Sequence, residues 1–248
     1  MNWELLRTAK QAEIQRLVSV QVSEVTPSIR NFAQYVTTHK QEPALIAALK
    51  RVDPQTGRSW NDRDMVALAQ ECDDTEVGAI AVYTEPSVFG SSLDDLRSVS
   101  LAVTAPVLRL DLLVHPAQIH HSRLRGADAI LLCANTVDTA ALTDLVTVAS
   151  SLHMTSVVAV QNEAEVQQAL AAGAFVLGIV SPSDALDLPH LARLAAAIPS
   201  QKTVIALDEI STPGEYVALQ GTVDAVLASN VVLDAPDAGT ALANLAGR

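Results

Sequence analysis

The feature that most limits how this chain can fold is a regular alternation. Short runs of Val, Ile, Leu and Ala recur eight times, each followed by a longer segment whose apolar residues have helical spacing. Runs this short and this apolar suit strands buried on both faces of a parallel sheet, and parallel neighbours need a crossover, usually a helix, between them. Strands are expected at residues 44–51, 78–84, 107–114, 129–134, 155–161, 175–181, 203–209 and 225–230. Helices are expected at 62–72, 92–98, 116–125, 139–152, 164–172, 187–197, 213–219 and 236–246, several of them opening on an acidic residue or Pro. Eight βα units in series imply an α/β chain closed into a (β/α)8 TIM barrel.

A length of 248 residues fits one such barrel of roughly 250 residues, so residues 1–248 are read as a single domain. Residues 1–41 carry Leu5, Leu6, Ile14, Leu17, Val18, Val20, Val22, Ile29, Phe32 and Val36 at mixed helical spacing, before the glycines begin. They read as a helical extension that packs on the barrel of residues 44–248. Gly126 and Gly173 precede the fourth and sixth runs, where a helix must stop and turn.

Charge and cysteine content narrow the partners. There are 16 basic against 28 acidic residues and no basic block, so the footprint that binds a phosphate backbone is missing and nucleic acid is not expected. No apolar run reaches the roughly 20 residues that span a bilayer, so no membrane is expected. Cys72 and Cys133 stand alone at no metal-like spacing, which together with the lack of a recognisable signal peptide suggests a reducing, cytoplasmic setting. His115 near Asp111, followed by His120 and His121, is too sparse a set for a metal, because strand parity turns Asp111 away from the barrel interior. Asp53 with Asp208 and Glu209 is an equally weak acidic alternative. No metal and no cofactor are expected.

Residues 107–119 read V-L-R-L-D-L-L-V-H-P-A-Q-I, residues 88–97 V-F-G-S-S-L-D-D-L-R, and residues 235–242 A-P-D-A-G-T-A-L. From residue 44 onward the chain resembles the indole-3-glycerol phosphate synthases, lyases of tryptophan biosynthesis. The resemblance implies functional residues at the C-terminal ends of the barrel strands, and there this sequence departs from the family. The lysine that acts as general acid on the third strand falls on Leu110, and the general-base glutamate of the fifth falls on Ala159. The first-strand motif E-I-K becomes Ala48-Leu49-Lys50, leaving only the lysine, and I-N-N-R of the sixth becomes Ile179-Val180-Ser181-Pro182. S-E-S-G-I of the seventh becomes Ala206-Leu207-Asp208-Glu209-Ile210.

The same comparison bears on the phosphate subsite. Asp53 replaces the first serine of S-P-S, Glu209 a glycine, and Ser229-Asn230 the Gly-containing pair of the eighth strand. Carboxylates in a partly desolvated mouth repel a phosphate dianion. Ring closure with loss of carbon dioxide and water needs an acid and a base, and removing one such group typically costs about 10² to 10⁴ in rate. The main expectation is therefore a pseudoenzyme, a degenerate member kept for binding, regulation or assembly. The remaining readings are a diverged enzyme built on Lys50, or a still active synthase if the strand register differs from the one drawn here.

Lys50 has two readings. Surrounded by Ala48, Leu110, Ala159 and Leu207, it would be a desolvated lysine of the kind that forms a Schiff base. Paired with Asp53, Asp208 or Glu209, it would stay protonated and balance an acidic rim, and this is the reading adopted. Phe89 and Leu112 match positions on the apolar side of the family pocket, so the expected occupant is a small apolar or non-phosphorylated ligand.

Overall fold

In the computed structural model, residues 3–18, 25–183 and 185–248 are described, with side chains of the first segment given for residues 10–17. Eight parallel strands pair strictly in sequence order: β1 (Ala44–Leu49), β2 (Ala79–Tyr83), β3 (Val107–Leu110), β4 (Ala129–Cys133), β5 (Thr155–Val160), β6 (Val176–Ile179), β7 (Thr203–Glu209) and β8 (Ala225–Ala228). The last strand returns to the first through Ala44–Ala225 and Ala47–Ala228, and the sheet closes into a TIM barrel.

Two helices precede β1, α1 (Trp3–Val18) and α2 (Phe32–Val36). The crossovers are α3 (Met65–Asp73), the short α4 (Pro86–Phe89) with α5 (Leu93–Ala102), α6 (Pro116–Leu124), α7 (Thr139–Ser151), α8 (Glu163–Ala171), α9 (Leu188–Ala197) and α10 (Pro213–Leu219). After β8 come α11 (Asn230–Asp234) and α12 (Ala238–Leu245). Side-chain caps hold the expected starts: Ser92 with Asp95, His115 with Gln118 and Thr212 with Glu215 form reciprocal capping boxes. Gly126 (φ 93°) and Gly173 (φ 84°) supply left-handed turns into β4 and β6.

Alternation along the strands makes two cores. Inside the barrel lie Ile46, Ala48, Ala79, Ala81, Leu108, Ala129, Val157, Val176 and Ile205, small enough to fit the lumen. Phe32 and Val36 of α2 belong to this inner cluster and close the end where the strands begin. The outer cluster, including Leu49, Val82, Ile130, Val158 and Leu177, packs against the helices. The extension thus packs as expected where it is described. The side chains of Leu5, Leu6, Val18, Val20 and Val22 lie outside the described residues.

The largest departure from expectation is at β3, which stops at Leu110 rather than at 114. Asp111 turns its carboxylate onto its neighbour's backbone N–H (Leu112, 2.7 Å) and onto Arg109 (2.6 Å), and the ladder ends there. Leu112 therefore does not continue the inward face of Leu108 and Leu110.

Candidate active site at the barrel mouth

A cavity of about 540 Å³ opens at the C-terminal ends of the strands, the end where barrel sites are built. A second, of about 550 Å³, lies near the starts of β3 and β4 and is lined by Arg30, Arg97, Arg123 and Arg125. Three of its guanidiniums are already engaged in ion pairs, Arg30 Nε and Arg123 Nη1 with Asp128 at 2.6 and 2.9 Å and Arg125 Nη1 with Asp94. The mouth is the better candidate.

One wall of the mouth is apolar. Tyr83 and Phe89 stack with ring centroids 4.3 Å apart, and Leu110, Leu131, Ala159 and Leu207 continue the surface. Burial pushes the Tyr83 phenol well above its usual value, and the charges of Glu209 and Asp53 add to this. Leu207 leans across Gly178 of β6, where a Cβ would meet Leu207 Cγ at 2.8 Å. The register between β7 and β8 slips here, Ala206 facing Val226 and Glu209 facing Leu227, a bulge of the kind that re-aims side chains at a barrel rim.

The rest of the lining carries charge. Lys50 is 5% exposed, and its Nζ lies 2.7 Å from Glu209 Oε1, 3.4 Å from Asp53 Oδ2 and 5.7 Å from the centre of the Tyr83 ring. Asp53 also accepts from the backbone N–H groups of Gln55 and Thr56 and from Asn230 Nδ2. Burial raises the Asp53 pKa, but these N–H groups, Lys50 and Asn230 outweigh it and hold the carboxyl below its usual range. Asp208 faces the cavity but not the lysine: it accepts from Ser181 N–H (3.0 Å) and Ser181 Oγ (2.5 Å). Burial leaves its pKa raised despite those bonds.

Of the residues singled out from the sequence, Lys50, Asp53, Phe89, Leu110, Ala159, Asp208, Glu209 and Asn230 line this one cavity. Leu112 and Ser229 do not. Leu112 is buried beyond the end of β3, and Ser229 Oγ is buried with no hydrogen-bond partner among the described residues. Asp111 and His115 do not approach a metal arrangement. His115 Nδ1 accepts from Ala117 N–H at the start of α6, and no cluster of three or more metal-type ligands occurs among the described residues.

The sequence reading missed Tyr83, Gln161 and Glu165 as lining residues. Tyr83 ends β2 and Gln161 follows β5, so their strand-end positions were an available signal, whereas Glu165 lies in the first turn of α8.

The indole-3-glycerol phosphate synthase family model matches residues 4–245. This chain belongs to that family. It is 37% identical over 215 residues to the indole-3-glycerol phosphate synthase of Mycobacterium leprae strain Br4923, covering 83% of this chain and 78% of that protein. The synthases of Mycobacterium avium strain 104 and Mycobacteroides abscessus strain ATCC 19977 are similar at 37% over 211 and 38% over 210 residues. They cover 83% and 82% of this chain, and 78% and 76% of their own lengths.

A second buried polar assembly lies outside this family member's mouth. Arg109 and Asp111 face the helical layer, where Lys10 of α1 sits 2.7 Å from Asp111, 2.7 Å from Glu85 and 3.0 Å from Glu13. Arg109 Nη2 also meets Glu13 at 3.2 Å, and Thr84 Oγ1 donates to Asp111. Burial raises the Asp111 pKa, but Arg109 and Lys10 overcome it and hold the carboxyl low. Burial likewise lowers Lys10, yet Asp111 and Glu13 reverse the sign. Parity alone had placed Asp111 outward. The partner 101 residues earlier carried no sequence signal.

Proposed function

We propose that this family member does not carry out the synthase reaction and that its barrel mouth binds a small, non-phosphorylated molecule. The observation that carries the reading is the set of side chains around the cavity: Leu110 and Ala159 line it at the positions matched to the family's acid and base. Neither can exchange a proton. Glu209 and Asp53 flank Lys50, the only lining cation among the described residues, and a phosphate dianion entering there would face two carboxylates. The protein then serves in binding, regulation or assembly.

The test is to supply purified protein with the carboxyphenylamino-deoxyribulose phosphate substrate and follow the fluorescence of indole glycerol phosphate. No turnover above background is expected. The extent of identity to curated synthases supports the alternative, an active synthase and hence a carbon–carbon lyase of tryptophan biosynthesis. Steady turnover, abolished by filling the cavity with Ala159→Phe, would establish that alternative.

A further inference from the structure

We infer that Lys10 and Glu85 are positioning residues for the barrel mouth: through their ion pair helix α1 holds α4, and with it the aromatic wall and the turn that carries Asp53. The inference rests on the reading that the mouth is the functional site and adds what sets its shape.

Glu85 follows β2 and caps α4, and its two carboxylate oxygens serve different elements. Oε1 accepts from the Ser87 backbone N–H at 3.1 Å and from Ser87 Oγ at 2.6 Å, inside α4. Oε2 meets Lys10 Nζ of α1 at 2.7 Å. Of the three carboxylates around Lys10, Glu85 is the one that reaches α4. Both members of the pair are buried, Lys10 2% and Glu85 6% exposed.

A helix of four residues does not hold its own shape, because nucleation costs more than one turn of hydrogen bonds returns. α4 therefore depends on its cap, and the cap depends on the lysine. A buried carboxylate that loses its cation turns toward water or takes up a proton, and both weaken its grip on Ser87.

The far end of α4 touches the mouth. Phe89 is 4% exposed and stacks on Tyr83, whose ring centre lies 5.7 Å from Lys50 Nζ. The Phe89 carbonyl accepts from the backbone N–H groups of both Arg51 (3.0 Å) and Val52 (2.8 Å), the residues that lead into Asp53. Gly90 closes α4 in the left-handed region (φ 70°), and a Cβ there would stand 3.1 Å from Val52 Cγ2 and 3.2 Å from Arg51 Cβ. Packing that close ties any shift of α4 to a shift of the turn. Lys10 is thus joined to the Lys50–Asp53 pair through Glu85, Ser87 and Phe89, although it does not itself line the cavity. A contiguous chain of bonds and packed side chains is the physical means by which separated groups are coupled.

The test uses the three phenylalanines as reporters: Phe32 in α2, Phe89 in the wall and Phe175 just before β6. Full-length protein labelled with 4-fluorophenylalanine is followed by fluorine NMR, and Phe89→Leu identifies the resonance from the wall. Lys10→Met should shift and broaden the Phe89 resonance while leaving those of Phe32 and Phe175 in place. Exchange of the Arg51 and Val52 amides should quicken by at least about tenfold. Glu85→Gln keeps an oxygen for Ser87 but not the ion pair, and should produce the same two changes whether or not Lys10→Met folds. Leu219→Ala, a buried deletion in α10, lowers stability away from this chain of contacts and should leave the Phe89 resonance where it is.

An unmoved Phe89 resonance in both variants would overturn the inference. So would equal changes at Phe32 and Phe175, or the same change in Leu219→Ala, since each would mean general loosening. Turnover of the phosphorylated substrate by the wild type would defeat the functional reading alone, because Phe89 reports the wall whatever the mouth does with its ligand.

Discussion

Replacing Lys10 with Met should loosen α1 from the barrel, and the structure sets the size of the effect. The ammonium is buried, within 3.0 Å of Asp111, Glu85 and Glu13, and methionine removes the charge while keeping most of the side-chain volume. Removing one partner of a buried ion pair costs about 3–5 kcal/mol, because the other charge is left desolvated. Arg109 stays 2.6 Å from Asp111, so the expected cost lies at the low end, about 3 kcal/mol. For a chain of this length that corresponds to a fall in Tm of about 6–12 °C. Amide exchange should rise across α1 and α6, the two helices that meet over Gln118 and Arg109.

The pH dependence gives a second, signed check on the same assembly. Burial raises the pKa of Glu85 and Asp111, but their partners reverse this and hold both below their usual range. The stability they contribute is fully present above about pH 4 and is lost as pH falls through their depressed folded values. Lys10 is raised, so its contribution persists below about pH 10 and fades only as pH climbs through its folded value. The wild type should therefore lose its advantage over Lys10→Met in acid. A double-mutant cycle with Asp111→Asn isolates the coupling. A Tm change under about 2 °C with unaltered exchange in α1 would refute the claim that this assembly anchors the helix.

Three further outcomes are expected. Crystals grown in sulfate should show no ordered anion at the backbone of Ser229 or Asn230; one found there would mean that Asp53 and Glu209 do not exclude dianions. Borohydride trapping with small aldehydes at pH 7 should leave Lys50 unlabelled relative to Lys50→Ala, because its ammonium is held in ion pairs with Glu209 and Asp53; selective labelling by peptide mapping would favour Schiff-base chemistry. Gly178→Ala should destabilise by about 1–3 kcal/mol, as a methyl there overlaps Leu207, and Leu207→Ala in the same chain should recover most of the loss in urea titrations.

The barrel was legible because its two periodicities are local: alternating strands and amphipathic helices each declare themselves within about ten residues. Boundaries were less so. Nothing in V-L-R-L-D-L-L-V tells that Asp111 will leave the ladder for Arg109 and Lys10, since that depends on a helix a hundred residues away. The mouth was readable to the extent that strand ends define it. Asp208 was the exception among the carboxylates: it was expected to share Lys50, but Ser181 on the neighbouring strand end claims it. Side-chain reach across a barrel is set by rotamers and hydrogen-bond competition, which strand parity does not contain.

The presence of Lys50 is the observation most open to misreading, and the geometry shows why it needs no catalytic explanation. Without its ammonium, Glu209 Oε1 would lose its only charged partner among the described residues and Asp53 would face it across a half-buried rim. Like charges at such range push at least one carboxylate toward protonation and weaken the loop that Asp53 organises through Gln55, Thr56 and Gly57. The lysine and the two carboxylates thus stabilise one another whatever the mouth does. Leu207, by contrast, packs over Gly178 at the rim. The inner core of Ile46, Ala79, Leu108 and Val157, closed by Phe32, lies below the rim and does not depend on the charges there. A mouth can therefore change its charge and chemistry without loss of the barrel that carries it.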